Sequence, residues 1–493
     1  MDVHTQERAA ALFDGYVTDG AYDEMFRAPA VPRPHYAPLY ARLAALSAEE
    51  FHQRQQAADL SLLRQGITFN VYSSEQGTER VFPFDLVPRI LSRRKWVKLE
   101  AGLKQRLHAL NLFIHDIYHE QRILRQRVVP IDLVLGTSGY RPEFRNCTVP
   151  RDIYVHVAGI DLIRDAEGTF RVLEDNLRCP SGVSYVLQNR RVMKQAFPQL
   201  FEPYRVRPVD DYPQRLREVL EHIAPSRRGE PTIVVLTPGL HNAAYFEHTF
   251  LAQQMGVQLV QGQDLVVDGG QVHMRTTKGL QRVDVVYRRI DDDFLDPVSF
   301  RNDSLLGVAG LVGAYRLGHV GLANGIGTGI ADHKAVYHFV PQIIRYYLGE
   351  EPLLENVPTY LATVERDRAY ILEHLSELVV KAVDQSGGYG MLIGPHATAA
   401  QRAEFAARIR ACPTGYIAQP TIMLSRHPTF ADDRFVGRHI DLRPFVLYGK
   451  EITVLAGGLT RVALRPGSLV VNSSQGGGSK DTWVLEEEIE RSC

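Results

Sequence analysis

The sequence predicts a mixed α/β protein, in part α+β, in which an open and largely parallel sheet sits beside a core built from hairpins. Three stretches carry that prediction. Residues 155–184, V-H-V-A-G-I-D-L-I-R-D-A-E-G-T-F-R-V-L-E-D-N-L-R-C-P-S-G-V-S, set two short apolar runs on either side of a turn ending in Gly168, as a hairpin does. Residues 229–293 read strand, helix, strand and strand, the order of an open sheet whose ligands collect at the carboxyl ends of its strands. Third, E-L-V-V-K-A-V runs directly into D-Q-S-G-G-Y-G-M-L-I-G, so a strand lysine, Lys381, precedes a glycine-rich turn.

The bulk numbers narrow the function classes. At 493 residues, with 45% hydrophobic and 23% charged, the chain has ample material for several soluble cores. A net charge of -1 gives no reason to expect a nucleic-acid or anionic-membrane binder. The four cysteines, Cys147, Cys179, Cys412 and Cys493, are far apart and form no C-x-x-C pair, which argues against a disulfide framework or a zinc site. The first residues lack the basic start and apolar block of a signal peptide, and no stretch approaches a membrane span. A cytoplasmic protein is the expectation.

Taken in order, residues 1–60 form an N-terminal arm and helix, with Ser47 followed by Glu49-Glu50 as a helix start. A small hairpin follows from Gly66. Leu99, Leu103, Leu107, Leu110 and Phe113, at spacings of three and four, predict a long amphipathic helix or helix pair from Trp96 to Leu124. The first part of the core spans 61–228 and includes the hairpin of 155–184. The open α/β domain occupies 229–320, and its strand V-D-V-V-Y-R-R-I ends at Arg288, Arg289, Asp291, Asp292 and Asp293. Arginine followed by aspartates suits an amino-acid substrate, although a solvated charge cluster reads the same way. Residues 321–493 hold a glycine-rich run, a helix through Lys334 to Tyr347, the Lys381 strand and loop, and the strand Y-I-A-Q-P-T-I with Gln419. The strand H-I-D-L-R-P-F-V-L puts Asp441, Arg443 and Phe445 on one face. The closing S-S-Q-G-G-G-S-K-D-T-W-V-L looks like a second ligand loop bearing Lys480 and Asp481, or a mobile tail.

The hairpin carries the sharpest chemistry. Alternation places Phe170, Val172, Glu174 and Asn176 on one face, with Asp161 in reach from the other arm. Asp161, Glu174 and Asn176 would make a hard-cation site for Mg²⁺ shared with substrate phosphates, and an ordinary exposed hairpin is the plain alternative.

A Glu-x-Asn pair with an upstream Asp, two separated lysines and a glycine-rich loop after the second lysine together resemble the ATP-grasp superfamily. Here Glu174 and Asn176 precede Lys334, Lys381 and Gln419, so the usual order is permuted. With Y-D-E-M-F, V-L-E-D-N-L-R and D-D-D-F-L-D-P, the chain resembles the circularly permuted ATP-grasp proteins, themselves similar to glutathionylspermidine synthetase. The resemblance implies a circularly permuted ATP-grasp fold in which Asp161, Glu174 and Asn176 hold Mg²⁺. It also implies that Lys334 and Lys381 contact the α- and β-phosphates. The loop Gln385, Ser386, Gly387, Gly388, Tyr389 and Gly390 would cover the triphosphate, and Gln419 would lie against adenine. The synthetase has an arginine two residues before its metal aspartate where this chain has Gly159, so Arg443 or Arg461 is expected to serve instead. His156 and His439 are candidate proton carriers, or satisfied structural residues. The implied activity is ATP- and Mg²⁺-dependent carboxylate-amine ligation through an acylphosphate, with a phosphotransferase or an ATP-binding scaffold as alternatives. A helical companion protein and a transglutaminase-like protease are the partners the resemblance suggests.

Overall fold

The computed structural model describes residues 11–18, 20–71, 78–225, 229–384, 390–472 and 476–487. Segments almost four hundred residues apart meet in one sheet. The strand Gly478–Val484 lies between Phe84–Leu91, to which it is parallel, and Thr460–Val462, to which it is antiparallel. Every residue of Gly478–Val484 is buried, so Lys480 and Asp481 are interior strand residues and belong neither to a ligand loop nor to a tail. The Lys480 ammonium donates to Asp85 and to the Pro428 carbonyl, and Asp481 accepts from Arg190 and the Trp483 indole. Glycines ahead of the strand made it read as a loop, whereas its paired charges satisfy the interior.

The central sheet has five strands in the order Glu355–Asn356, Phe170–Asn176, Val157–Arg164, Phe445–Tyr448 and Ile452–Val454. Val157–Arg164 and Phe170–Asn176 form the expected hairpin, and Gly168 takes φ +83° in its turn. A bulge interrupts the register, with Asp161 opposite Glu174 but Leu162 opposite Val172. The extra residue, Leu173, turns the strand. Phe170 and Val172 consequently pack into the core, while Leu173 and Glu174 face a cleft, so the single face expected from alternation is split.

On the core side lies the helix Arg93–Tyr118, with Leu99, Leu103, Leu107, Leu110 and Phe113 all buried. It stops short of Leu124 because Gln121 adopts φ +56° and the Asp116 carboxylate accepts from the N-H groups of Arg122 and Ile123, capping a separate turn, Arg122–Arg125. The Ser47 start is a full capping box with Glu50, opening the helix Ala48–Arg64.

The open sheet is entirely parallel, in the order Gly321–Ala323, Val285–Arg288, Ile233–Leu236 and Gln258–Val260. The strand Leu265–Asp268 leaves it for a separate antiparallel sheet, and the fourth parallel strand comes from the glycine-rich segment beginning at Gly321. Asn324, directly after that strand, ties this sheet to the hairpin. Its Oδ1 accepts from the N-H groups of His156 and Val157, and its Nδ2 donates to the carbonyls of Val157, Leu177 and Arg178. Last, the antiparallel strands Tyr360–Leu361, Tyr416–Pro420, Leu378–Ala382 and Met391–Ile393 form a small sheet with its own apolar core, including Ile371, Val380, Leu392 and Ile409. Among the described residues no helix is long and apolar enough to cross a membrane.

Candidate active site

The small sheet and the cleft face of the central sheet enclose a cavity of about 150 Å³. Asp161 and Glu174 enter it from the hairpin, Lys381 and Gln419 from the small sheet, Lys334 from the helix Lys334–Tyr337, and Arg461 from the strand Thr460–Val462. Residues separated widely in sequence are thus brought to one place. Beyond the charges the walls are apolar, with Ile163, Leu173, Val379, Ile393 and Ile422 among them. Polar groups at one end of an apolar slot suit a molecule with a flat base and an anionic tail.

A network of two arginines and two aspartates closes the hairpin side. Arg443 donates to both oxygens of Asp161, through Nε at 2.5 Å and Nη2 at 2.9 Å, and through Nη1 to the Ser181 carbonyl at 3.3 Å. Arg461 reaches Asp161 at 2.7 Å and is also bound to Asp441 and to Asn472 Oδ1. Burial opposes ionisation of Asp161, but Arg443 and then Arg461 outweigh it and hold its pKa at about 2. The two arginines differ in access: the Arg443 side chain is 15% exposed and that of Arg461 is 6%. A Cβ placed on Gly159 would meet Pro180 Cβ at 3.1 Å, Arg443 Cδ at 3.3 Å and Arg443 Cγ at 3.5 Å. The stem of Arg443 therefore fills the space beside Gly159, where the sequence lacks the expected arginine.

Lys381 Nζ donates to Gln419 Oε1 at 2.7 Å, and Gln419 Nε2 donates to Thr359 at 3.0 Å. Gln419 thereby anchors the lysine as well as lining the cleft. Lys334 lies 3.5 Å from Glu174. Burial pushes Lys381 down to about 8, with Glu174 pulling it up and Lys334 pushing it further down. Gly390 begins the described part of the loop at φ +63°, while Gln385, Ser386, Gly387, Gly388 and Tyr389 lie outside the described residues.

The fit to Mg²⁺ rests on the donor set. Asp161 and Glu174 are paired across the hairpin, and Asn176 lies two residues beyond Glu174. Among the described residues no group of three His, Cys, Asp or Glu side chains forms a metal cage. The Asn176 Nδ2 is buried without a hydrogen-bond partner, and a half-turn of its amide presents the carbonyl oxygen instead. A few oxygen donors without a cage suit a cation that keeps water and phosphate ligands.

A second, acidic recess of about 120 Å³ adjoins the cleft, sharing Glu174 and Lys334 with it. Asn176, Asp291, Asp292, Asp293, Asp332 and Asp384 line it, with Arg141 and Arg178 as counter-charges. Arg288 and Arg289 do not open into either cavity. Arg288 donates to the carbonyls of Asn324, Ile290 and Gly325 and pairs with Asp292 at 2.8 Å, while Arg289 holds Glu247 and the Pro180 carbonyl. Their guanidiniums are consumed as internal struts, which is a correction to their reading as substrate-facing groups. Asp291 and Asp293 are about half exposed at the recess, whereas Asp292 is buried and accepts from Gly327 N-H. Sequence reasoning passed over Asp332, whose carboxylate accepts from Leu177 N-H and from Arg178 Nε at 2.8 Å. Burial, only partly offset by Arg178, raises it to about 6. Its position two residues before Lys334 was the available signal. His156 is sealed in the core with its pKa driven by burial to about 3 and both ring nitrogens unpartnered, and His439 Nδ1 meets the Leu424 carbonyl; neither lines the cleft or the recess.

Comparison with known proteins places the chain in a family. The family model described as "Circularly permuted ATP-grasp type 2" matches residues 88–463. The chain belongs to this family. An uncharacterised protein of Synechocystis sp. is 58% identical over 466 residues, covering 94% of this chain and 97% of that protein. An uncharacterised protein of Mycobacterium tuberculosis is 51% identical over 483 residues, covering 97% and 87%. A protein of Frankia casuarinae named putative glutamate--cysteine ligase 2-2 is 42% identical over 478 residues, but this chain spans 55% of its length. Among solved structures, the apo form of a glutathione synthetase-like effector from Globodera pallida aligns with a TM-score of 0.55 at 10% identity, covering 88% of this chain and 96% of that one. That likeness shows the fold alone.

Proposed function

We propose that the protein is an ATP- and Mg²⁺-dependent, ADP-forming carboxylate-amine ligase acting on an amino acid or peptide. The observation that carries this reading is the adjacency of two unlike cavities: a lysine-bearing apolar slot and a carboxylate-rich recess, meeting at Glu174 and Lys334. The family and the ligase name of the Frankia protein support the same class. Lys334 and Lys381 bind the phosphates, and the apolar slot takes the base. Glu174, Asn176 and Asp161 would hold Mg²⁺, which neutralises phosphate charge when bound.

The substrate carboxylate attacks the γ-phosphorus, ADP leaves, and an acylphosphate forms. An amine then attacks the acyl carbon, expelling phosphate. Arg443, the more exposed arginine, lines neither cavity and would have to turn from Asp161 to reach the transferred phosphoryl group, while Arg461, which lines the cleft, keeps Asp161 oriented. Excess carboxylate in the recess favours a cationic amine, and Asp332, ionised at neutral pH, takes its proton.

Incubation with Mg²⁺, ATP and a pool of amino acids, peptides and polyamines is expected to release ADP and phosphate and to yield an amide mass. A stable phosphorylated product without amide would make the protein a phosphotransferase. Nucleotide binding with no ADP from any acceptor mixture would make it a scaffold.

A further inference from the structure

A separate cavity of about 530 Å³ lies between the helix Val183–Ala196, the helix Tyr245–Met255 and the carboxyl end of the helix Ala48–Arg64. Its volume falls within the range of small-molecule sites. It shares no lining residue with the nucleotide cleft or the acidic recess. Primary amides dominate its wall: Gln65, Gln188, Asn242, Gln253 and Gln254. Among the described lining residues Arg191 is the charged side chain and none is a carboxylate, while Tyr245 and Phe246 supply aromatic surface.

Gln188 marks this as a built site. It is only 5% exposed, yet its Oε1 accepts no hydrogen bond. Leaving a buried acceptor unpaired lowers stability, so an internal role does not account for it. Arg191, three residues further along the same helix, is exposed at the rim of the cavity and has no ion-pair partner among the described residues. Side-chain amides both donate and accept, which matches the alternating N-H and C=O groups of a peptide, and a guanidinium matches a carboxylate with two parallel bonds.

We propose that this cavity binds a peptide carboxyl terminus, its backbone paired by the amide side chains, Gln188 among them, and its terminal carboxylate held by Arg191. Binding here needs no nucleotide chemistry and stands apart from the ligase reading.

The test is calorimetric titration with N-acetylated tripeptides of Ala, Gln and Phe, each supplied as the free acid and as the terminal amide. The free acids are expected to bind about tenfold more tightly than the amides. Arg191→Gln should erase that difference. Gln188→Leu should weaken both forms while the melting temperature holds or rises, and Lys381→Met in the cleft should leave binding unchanged. Absence of binding by either form would overturn the proposal. So would binding unaffected by Arg191→Gln and Gln188→Leu, or binding lost with Lys381→Met. A fall in melting temperature with unaltered binding in Gln188→Leu would make the amide structural and equally defeat it.

Discussion

With Lys381 against the phosphates as proposed, nucleotide affinity is expected to depend on pH in one direction. Burial lowers its ammonium from 10.5 to about 8 in the empty cleft. Phosphate oxygens beside it stabilise the charged form, so the bound value lies above the free one. As pH rises from 7 to 9 the empty protein loses the proton that the complex keeps. Linkage then weakens affinity by about tenfold over that interval, most of it above pH 8, with proton uptake on binding. Titration calorimetry with ADP or a non-hydrolysable ATP analogue, in buffers of different ionisation enthalpy, reads both quantities. Lys381→Met should bind more weakly and with a flat profile. A flat profile for the unaltered protein, or the same slope in Lys381→Met, would refute the assignment. The stability linkage has the opposite sign. Because the unfolded chain binds more protons between about pH 8 and 10.5, this group makes the empty fold more stable as pH climbs through that window.

Other variants separate chemistry from scaffold. Glu174→Ala and Asn176→Ala should each lose Mg²⁺-dependent ADP release with an unchanged circular dichroism spectrum, and turnover retained in both would remove them from the metal site. Arg443→Gln should lower turnover by about 10³-fold, by analogy with arginines that stabilise phosphoryl transfer, with a loss of stability limited by Arg461, which still holds Asp161. Arg461→Gln, which strands Asp441 and loosens Asp161, should instead cost about 3–5 kcal/mol in urea unfolding. The reverse pattern would exchange their roles. Glu24 is buried between Arg89 at 2.5 Å and Arg164 at 2.6 Å. Although burial opposes ionisation, Arg164 and Arg89 hold its carboxyl far below the ordinary range, so its stabilisation is full above about pH 4.5 and lost as pH falls. Glu24→Ala should therefore destabilise by about 3–5 kcal/mol at pH 7, with the gap to the unaltered protein narrowing below pH 4.

Local signals in the sequence were read well where short-range physics governs. The hairpin around Gly168, the Ser47 cap and the strand bearing Lys381 all follow from turn chemistry, capping and periodicity within a few residues. The bulge at Leu173 escaped because one extra residue leaves no mark on a short alternating pattern, yet it decides which side chains face the cleft. Arg288 and Arg289 misled because a charged pair at a strand end reads the same whether it faces a ligand or carbonyls. The partner of Arg443 was invisible for another reason: it lies 282 residues away. Lys480 and Asp481 show the converse case, in which glycines nearby hid a central strand whose pairing partners begin at Phe84.

The close fit of Arg443 over Gly159 bears on how relatives of this chain are compared. A search for the missing arginine at a fixed interval before Asp161 meets Gly159 in this chain. Viewed in space, the stem of Arg443 lies in the volume beside Gly159, together with Pro180. The informative unit is the pair 159 and 443. A chain carrying bulk at both positions, or at neither, would have to build this corner of the cleft differently.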